Sequence, residues 1–440
     1  MTTTTQPAVV LHDLGDGLIL RRSTPADADR LAEFNGRIHG DPTVGVWTRD
    51  LLLKPHPTFK PDDFTIVEDT HTGNIVSSLN LISQTWSYAG IPFGVGRPEL
   101  VGTDPAYRQR GLVRKQFEVV HEWSRQRGEL AQAITGIPYY YRQFGYEMTL
   151  GLGGSRTGYE ASLPKLPEGQ GEVYVIRPAV EADMALILAM YQRSCDRSLV
   201  NARLDENCWR YELYGKSPEN CIGRNVLVIE TGEGDAVGVF TTPALLWGDR
   251  LVAEFFELKA GVAWYEPCAA VLRYLSATGQ AMARQKDKTL TRIGLALGDE
   301  HPAYQVSEQW LPVRHPSYAY YMRVPDLPAF LMHIAPALEQ NLQNSLAPGY
   351  TGDIKISFYR SGIIIRLEKG RLLEVIPWKP CVDDKISAAF PDHTFLHLVF
   401  GYRSLADLHY IYPDCYDEDD GGLVISALFP KRYSHVQVLS

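Results

Sequence analysis

The chain has 440 residues, 45% hydrophobic, 22% charged and 11% aromatic; this is a globular composition that excludes disorder, and the length points to about three domains at roughly 150 residues each. Lys and Arg number 43 against 52 Asp and Glu, a net charge of −9, so no overall basic field exists to recruit nucleic acid or anionic membrane. Six cysteines stand singly without a CxxC pair, which signals neither a zinc site nor a disulfide framework. The first twenty residues lack a basic stretch followed by an apolar run, and no 18-residue apolar stretch occurs; the expectation is a cytoplasmic protein with reduced thiols, no membrane span and no metal.

In chain order, Leu20-Arg21 reads as a strand end that passes through Thr24-Pro25-Ala26-Asp27 into a helix carrying Leu31 and Phe34. Acidic residues in a first helical turn suit the helix dipole. Asp63–Val67 and Ile75–Ile82 flank the turn signal Thr72-Gly73-Asn74, and Ala89-Gly90 marks a second turn before a strand through Glu99 to Thr103. Gly111 opens a helix to about Arg127, with Val113, Phe117 and Val120 as its apolar stripe and Gly128 as its stop. Residues 154–172 are rich in Gly, Pro, Ser and charge, which is linker chemistry.

Beyond that seam the opening repeats: Ile176-Arg177 leads through Glu181-Ala182-Asp183 into a helix with Ile187 and Met190. A strand over Tyr320–Val324 precedes a second seam at Val324–Pro328. The last segment predicts a helix near 326–345, paired strands over Ile354–Tyr359 and Gly362–Leu367, and a helical stretch over Thr394–Tyr410. The class is mixed α/β in three units, 1–155, 173–325 and 326–440. The run Asp417–Gly422 lacks the alternating spacing of a metal loop and reads as a solvated turn.

The stretch with chemistry in it is Val101–Arg114. A strand ends, Pro105 breaks it, and a basic loop with Arg108, Arg110 and Arg114 enters a helix at Gly111. The first amides of a helix have no internal partner, and the dipole adds positive potential there, so the segment is either a pyrophosphate cradle or an ordinary loop with solvated arginines.

Pro105-x-Tyr107-Arg108-x-Arg110-Gly111-Leu112 resembles the acetyl-CoA loop of the GNAT N-acetyltransferase superfamily, with Val113 where Gly or Ala is usual. Tyr141-Arg-Gln-Phe-Gly145-Tyr146 resembles the ending of GNAT domains. The Gly-Leu-x-Arg continuation and the three segments resemble the Eis-like branch: a catalytic GNAT domain, a degenerate second one whose loop Lys259–Cys268 has no Arg-x-x-Gly, and a sterol-carrier-protein-like third.

The resemblance implies an acetyl-CoA-dependent N-acetyltransferase built from tandem GNAT folds, acting on a primary amine of a small molecule or lysine and assembling as a trimer or hexamer. It implies that the backbone of Val101 and Thr103 pairs with the pantetheine arm, and that the amides of Arg108, Gln109, Arg110, Gly111 and Leu112 hold the pyrophosphate. It further implies that Tyr141 protonates the departing thiolate, that Trp47 lines the amine pocket, and that the terminal carboxylate of Ser440 reaches the active site. For Tyr139 and Tyr140 packing roles are expected, and His121, structural or solvated, is given no role.

Removing a proton from the amine needs a base, since alkylammonium groups titrate near 10.4. Glu99 lies two residues before Val101, hence on its face by strand alternation, and is either a relay member or one half of a surface salt bridge. Arg97 stands where the family has its usual glutamate, and Gly36 where it has an acidic pocket residue. The rival reading is a non-catalytic CoA- or lipid-binding scaffold.

Overall fold

The computed structural model describes residues 9–381 and 383–438. Its first stretch runs β1 (Val10–Gly15), β2 (Leu18–Arg22), α1 (Ala28–His39), α2 (Pro42–Leu53), β3 (Phe64–Asp69), β4 (Asn74–Tyr88), β5 (Ile91–Thr103), α3 (Leu112–Gln126), β6 (Ala131–Ile134), β7 (Glu147–Leu152) and β8 (Ser155–Gly158). The second runs β9 (Tyr174–Pro178), α4 (Met184–Asp196), β10 (Val200–Ala202), α5 (Glu206–Tyr214), β11 (Arg224–Thr231), β12 (Ala236–Pro243), β13 (Arg250–Ala253), β14 (Phe255–Leu258), α6 (Tyr265–Gln285), β15 (Arg292–Leu295), α7 (Pro302–Ser307), β16 (Val313–His315) and β17 (Tyr318–Arg323). The third runs α8 (Leu327–His333), α9 (Ala335–Gln343), β18 (Gly352–Ser357), β19 (Gly362–Glu368), β20 (Arg371–Trp378), β21 (Ala388–Ala389), α10 (Leu396–Val399), α11 (Leu405–Ile411), β22 (Tyr416–Asp417) and α12 (Gly421–Leu428).

The first two stretches exchange strands. In the first sheet β1 to β6 lie side by side, but β17 sits between β6 and β7. Conversely, β8 lies between β15 and β16. The segment expected as pure linker over 154–172 therefore begins with a strand, in which buried Thr157 pairs with Gly294 on one side and Val313 on the other. Ser-Arg-Thr-Gly carries no apolar residue, so hydropathy gives this strand no signal; two flanking strands impose it.

The repeated opening is one ion-pair device used twice. The Arg21 guanidinium meets Asp27 at 2.7 Å and Glu68 at 2.5 Å. Arg177 meets Asp183 at 2.7 Å and Glu230 at 2.7 Å. In both, the same aspartate accepts a backbone N–H three residues earlier, from Thr24 or Val180, so strand, helix start and neighbouring strand lock together.

β4 and β5 form a long hairpin whose two-residue loop, Ala89-Gly90, has φ of 47° and 88°, the left-handed pair such a loop demands. Both strands run well beyond the expected Ile75–Ile82 and Glu99–Thr103. Near its end β5 bulges: Ser78 opposes Gly102 but Asn80 opposes Glu99, and Leu100 takes φ 53°. β6 runs parallel to β5 only at Val95–Ala131 and Gly96–Gln132; beyond that the two strands diverge and open a cleft.

The apolar face of α3 closes the sheet beneath that cleft through Leu112, Phe117, Val120 and Trp123, while Val113 is only half-buried. The third stretch packs on β4 and β5 in a shared core that includes Trp86, Phe93, Phe330 and Phe400. Its helices are shorter than expected. The 326–345 helix breaks before Pro336, and the 394–410 helix breaks at Gly401, φ 65°. The acidic run is not a simple solvated turn: Gly421 and Gly422 are buried and open α12, and Asp417 meets His409 at 3.1 Å. Among the described residues no His, Cys, Asp and Glu group could hold a metal, and no helix is long and apolar enough to cross a membrane.

Candidate functional site

The divergence of β5 from β6 holds a cavity of about 820 Å³. One wall is the bulged end of β5, Glu99 to Thr103; the other is Ile134 to Ile137 with Tyr140 and Tyr141. The floor is the loop Tyr107–Arg114, and Ile38, His39, Val44 and Trp47 close the far side. All the expected site residues except Ser440 line this one cavity; Leu439 and Ser440 lie outside the described residues.

Since β5 spends one edge on β4 and leaves β6 after Gly96, its other edge at Val101 and Thr103 borders the cleft without a strand partner, and Arg108 Nε donates to the Thr103 carbonyl at 3.4 Å. Thr103 is fixed by its hydroxyl contact with Ser77 Oγ at 2.8 Å; Ser77 in turn donates to Gln116 of α3 at 2.6 Å.

The loop then turns back on itself. Asp104 accepts from the Ala106 amide at 3.0 Å, and Tyr107 donates to Asp69 at 2.6 Å. Gln109 and Gly111 are both left-handed, φ 63° and 74°, and the first α3 bond runs from the Lys115 amide to Gly111 O at 3.1 Å. The amides of Leu112, Val113 and Arg114 therefore precede any helical partner, in a concave turn that favours an anion. Arg110 is held by Asp16 at 3.1 Å and Arg114 by Gln143 at 3.0 Å.

Tyr141 is buried in an aromatic cluster with Phe117, Tyr140, Tyr146 and Tyr321. Its hydroxyl lies beside Gly136, where an added Cβ would stand 3.6 Å from the oxygen; φ there is 120°. Burial, then the Glu99 carboxylate, push the phenol above its ordinary range, so it stays protonated as a donor. Tyr140 lines the cleft, whereas Tyr139 is exposed and turns away, so the packing role expected for Tyr139 fails. His121 contacts Tyr146 Oη at 2.9 Å, and burial lowers it to about 3.

Glu99 corrects the alternation argument. Its cross-strand partner Asn80 follows Ser78, which donates to Asn35 of α1 at 2.7 Å, so Glu99 lies on the α1–α2 face. Val101 packs with the α3 core. The extra residue at Leu100 flips the face, as a bulge must. Nor is the salt bridge at the surface: Arg97 donates to Glu99, and Arg97 is 3% exposed. Burial pushes the Glu99 carboxyl up against the opposing pull of Arg97.

Trp47 is 8% exposed and its indole N–H is buried with no partner among the described residues. Ile38, Val44, Gly136 and Ile137 were not anticipated. They reach the cavity through the packing of α1 and α2 and through a left-handed glycine after β6, neither of which leaves a local motif. The second stretch has a corresponding opening between β14 and the residues after β15, but Tyr433, His435 and Gln437 fill it and leave about 10 Å³.

Residues 22–149 match the model of the acetyltransferase (GNAT) domain. No curated protein matches by sequence. Among solved structures, a GCN5-related N-acetyltransferase from Kribbella flavida is 17% identical, with 95% of this chain and 97% of that one covered at a TM-score of 0.61. A GCN5-related N-acetyltransferase from Anabaena variabilis is 12% identical over 95% and 99%, TM-score 0.61. Eis1 from Mycobacterium abscessus is 11% identical over 98% and 99%, TM-score 0.56. The chain thus carries a GNAT acetyltransferase domain and shares a whole-chain mixed α/β fold with these proteins.

Proposed function

We propose that the protein transfers an acetyl group from acetyl-CoA directly to a primary amine of a small molecule or lysine. The observation that carries this is that the basic loop Arg108–Arg114, whose amides at Leu112, Val113 and Arg114 have no helical partner, and Tyr141 line one cavity. Pantetheine adds to the free edge of β5 at Val101 and Thr103, and the pyrophosphate sits on the loop amides. The amine nitrogen attacks the acetyl carbonyl, the C–S bond breaks, and Tyr141 gives its proton to the departing thiolate. Glu99 takes the proton that the ammonium loses. No cysteine lines the cavity among the described residues, which supports a ternary complex over an acetyl-enzyme. Thiol release from acetyl-CoA that requires a primary amine tests the reading; release at the same rate without one would reject it.

The same reading divides the chain into a catalytic unit (1–155), a degenerate GNAT-like unit (173–325) and a mainly architectural sterol-carrier-like unit (326–440), in a cytoplasmic homo-oligomer. Gly111→Val is expected to raise the KM for acetyl-CoA far more than that for the amine. An added Cβ at Gly111 meets nothing within 4 Å and so stands in open space, and φ 74° is a conformation that a β-branched residue disfavours. Initial rates at varied acetyl-CoA check this, and an unchanged KM would remove the cradle.

The end of the chain belongs to the proposal. Tyr433 O accepts from the Leu199 amide at 2.8 Å, Gln437 donates to Glu254 O at 2.5 Å, and Arg224 donates to Val438 O at 3.4 Å. In this proposal the Ser440 carboxylate attracts the ammonium and accepts its proton through water. Deleting residues 438–440 is expected to abolish turnover while folding and acetyl-CoA binding persist. Full activity would make the tail a bystander and leave Glu99 as sole proton acceptor.

A further inference from the structure

We infer that the loop Lys216–Ile222 of the second stretch, acting through Asp50 of α2, positions the wall that receives the acceptor amine and so sets the affinity for that amine. This rests on the proposed transfer to an amine, and it gives the second stretch, whose own opening is filled, a part in the reaction.

α2 lends Val44 and Trp47 to the far side of the cavity. Three residues after Trp47, Asp50 is 2% exposed and turned toward the second stretch. Its carboxylate accepts from the Ser217 amide at 2.8 Å, the Ser217 hydroxyl at 2.7 Å and Asn220 Nδ2 at 2.8 Å. Lys54 Nζ joins them, 3.3 Å from Asp50 and 2.7 Å from Ser217 Oγ. Burial works against the charge, but these hydrogen bonds and Lys54 hold the carboxyl below its ordinary range.

The loop is itself fixed. Lys216, buried against Glu212 at 2.6 Å, donates to Ile222 O at 3.2 Å, and Asn220 Oδ1 accepts from the Ile222 amide at 3.0 Å. Cys221 lies beside Thr43 in the first turn of α2, and Cys221 and Ile222 pack on the core that contains Trp47. α2 is thus gripped near both ends. Glu212 also meets Arg224 at 3.2 Å, the residue that donates to Val438 O, so one fixed loop is the reference for both the α2 wall and the chain end.

The acetyl-CoA side is fastened elsewhere, through Asp69, Asp16 and Gln143. Loosening the bracket should therefore move one substrate's wall and not the other's. A shift of about 1 Å in a positioning element is enough to cost about 10²-fold in a reaction that depends on alignment. Ser217 and Asn220 line no part of the cavity, so they are positioning residues, as is Asp50.

The test measures KM for acetyl-CoA and KM for the amine in wild type, Asp50→Ala and Asn220→Ala, using whichever of phenethylamine and a lysine peptide the wild type acetylates faster. Asp50→Ala should raise the amine KM about tenfold or more and Asn220→Ala several-fold, with the acetyl-CoA KM within about twofold in both. The double variant should be no worse than Asp50→Ala, since both remove one contact. Partial unfolding lowers the concentration of active enzyme, and with it the apparent kcat, but leaves both KM values alone; Asn220→Ala keeps the test open should Asp50→Ala not fold. Unchanged KM values, or an equal rise in both, would overturn the inference and leave acetyl transfer standing. No acetylated product from either amine with the wild type would overturn the inference and the transfer reading together.

Discussion

Tyr141→Phe lowers kcat by about 10²–10⁴ while acetyl-CoA binding stays nearly intact. The substitution keeps the ring, and with it the edge contacts to Phe117, Tyr140, Tyr146 and Tyr321 at centroid separations of 6.0, 5.3, 6.4 and 5.6 Å. What disappears is one buried proton donor beside Gly136. Because burial and the Glu99 carboxylate hold the phenol protonated, it is ready to donate at every pH where the amine can act as a nucleophile. Loss of that donor leaves an unprotonated thiolate as leaving group, which returns to the acetyl carbon more readily than it departs. Steady-state rates and titration calorimetry with acetyl-CoA separate the two effects. Wild-type turnover in the variant would make Tyr141 a packing residue.

The second large effect is on folding. Residues 1–172 expressed alone should fail to give a folded, acetyl-CoA-binding domain, although they contain every described residue proposed to touch either substrate. β6 and β7 are not neighbours; β17 lies between them, pairing Tyr321 with Ile134 on one side and with Met148 on the other. The Tyr139 amide also donates to Tyr321 Oη at 2.5 Å, so the loop that carries Tyr141 is held by the same strand. Without β17 two buried strand edges are exposed and the core around Tyr321 is open. Co-expression with residues 173–440 should restore solubility and binding. Circular dichroism and acetyl-CoA titration of the purified fragment decide it, and a soluble fragment that binds as tightly as the full chain would contradict the role given to the exchanged strand.

How far the sequence could be read follows from how local each feature is. The loop around Arg108 and Gly111 and the Tyr141-Arg-Gln-Phe-Gly145 ending are contiguous, so they stand out in the sequence, and both line the cleft. The Arg21–Asp27 and Arg177–Asp183 repeat was visible as spacing, though not as the ion pairs it forms. Glu99 was identified but put on the wrong face, because one left-handed residue, Leu100, shifts the alternation and the residue type gives no warning. β8 was hidden by its polar composition, and its pairing with β15 and β16 comes from residues more than a hundred positions away. The cavity wall of Ile38, Val44 and Ile137 assembles from three separate elements and has no motif. The basic loop is thus locally encoded, whereas the exchanged strands and the facing cavity wall are products of packing.

The central claim is acetyl transfer from acetyl-CoA to a primary amine within this cleft. The most direct measurement follows both products at once: free CoA thiol, and the acetylated amine by mass spectrometry, for the full chain and for Tyr141→Phe. The account predicts that the two products appear in equal amounts, only when acetyl-CoA and amine are both present, and that both fall together in the variant. Saturable acetyl-CoA binding with no acetylated product from any amine would contradict it and leave a scaffold that binds CoA without catalysing transfer.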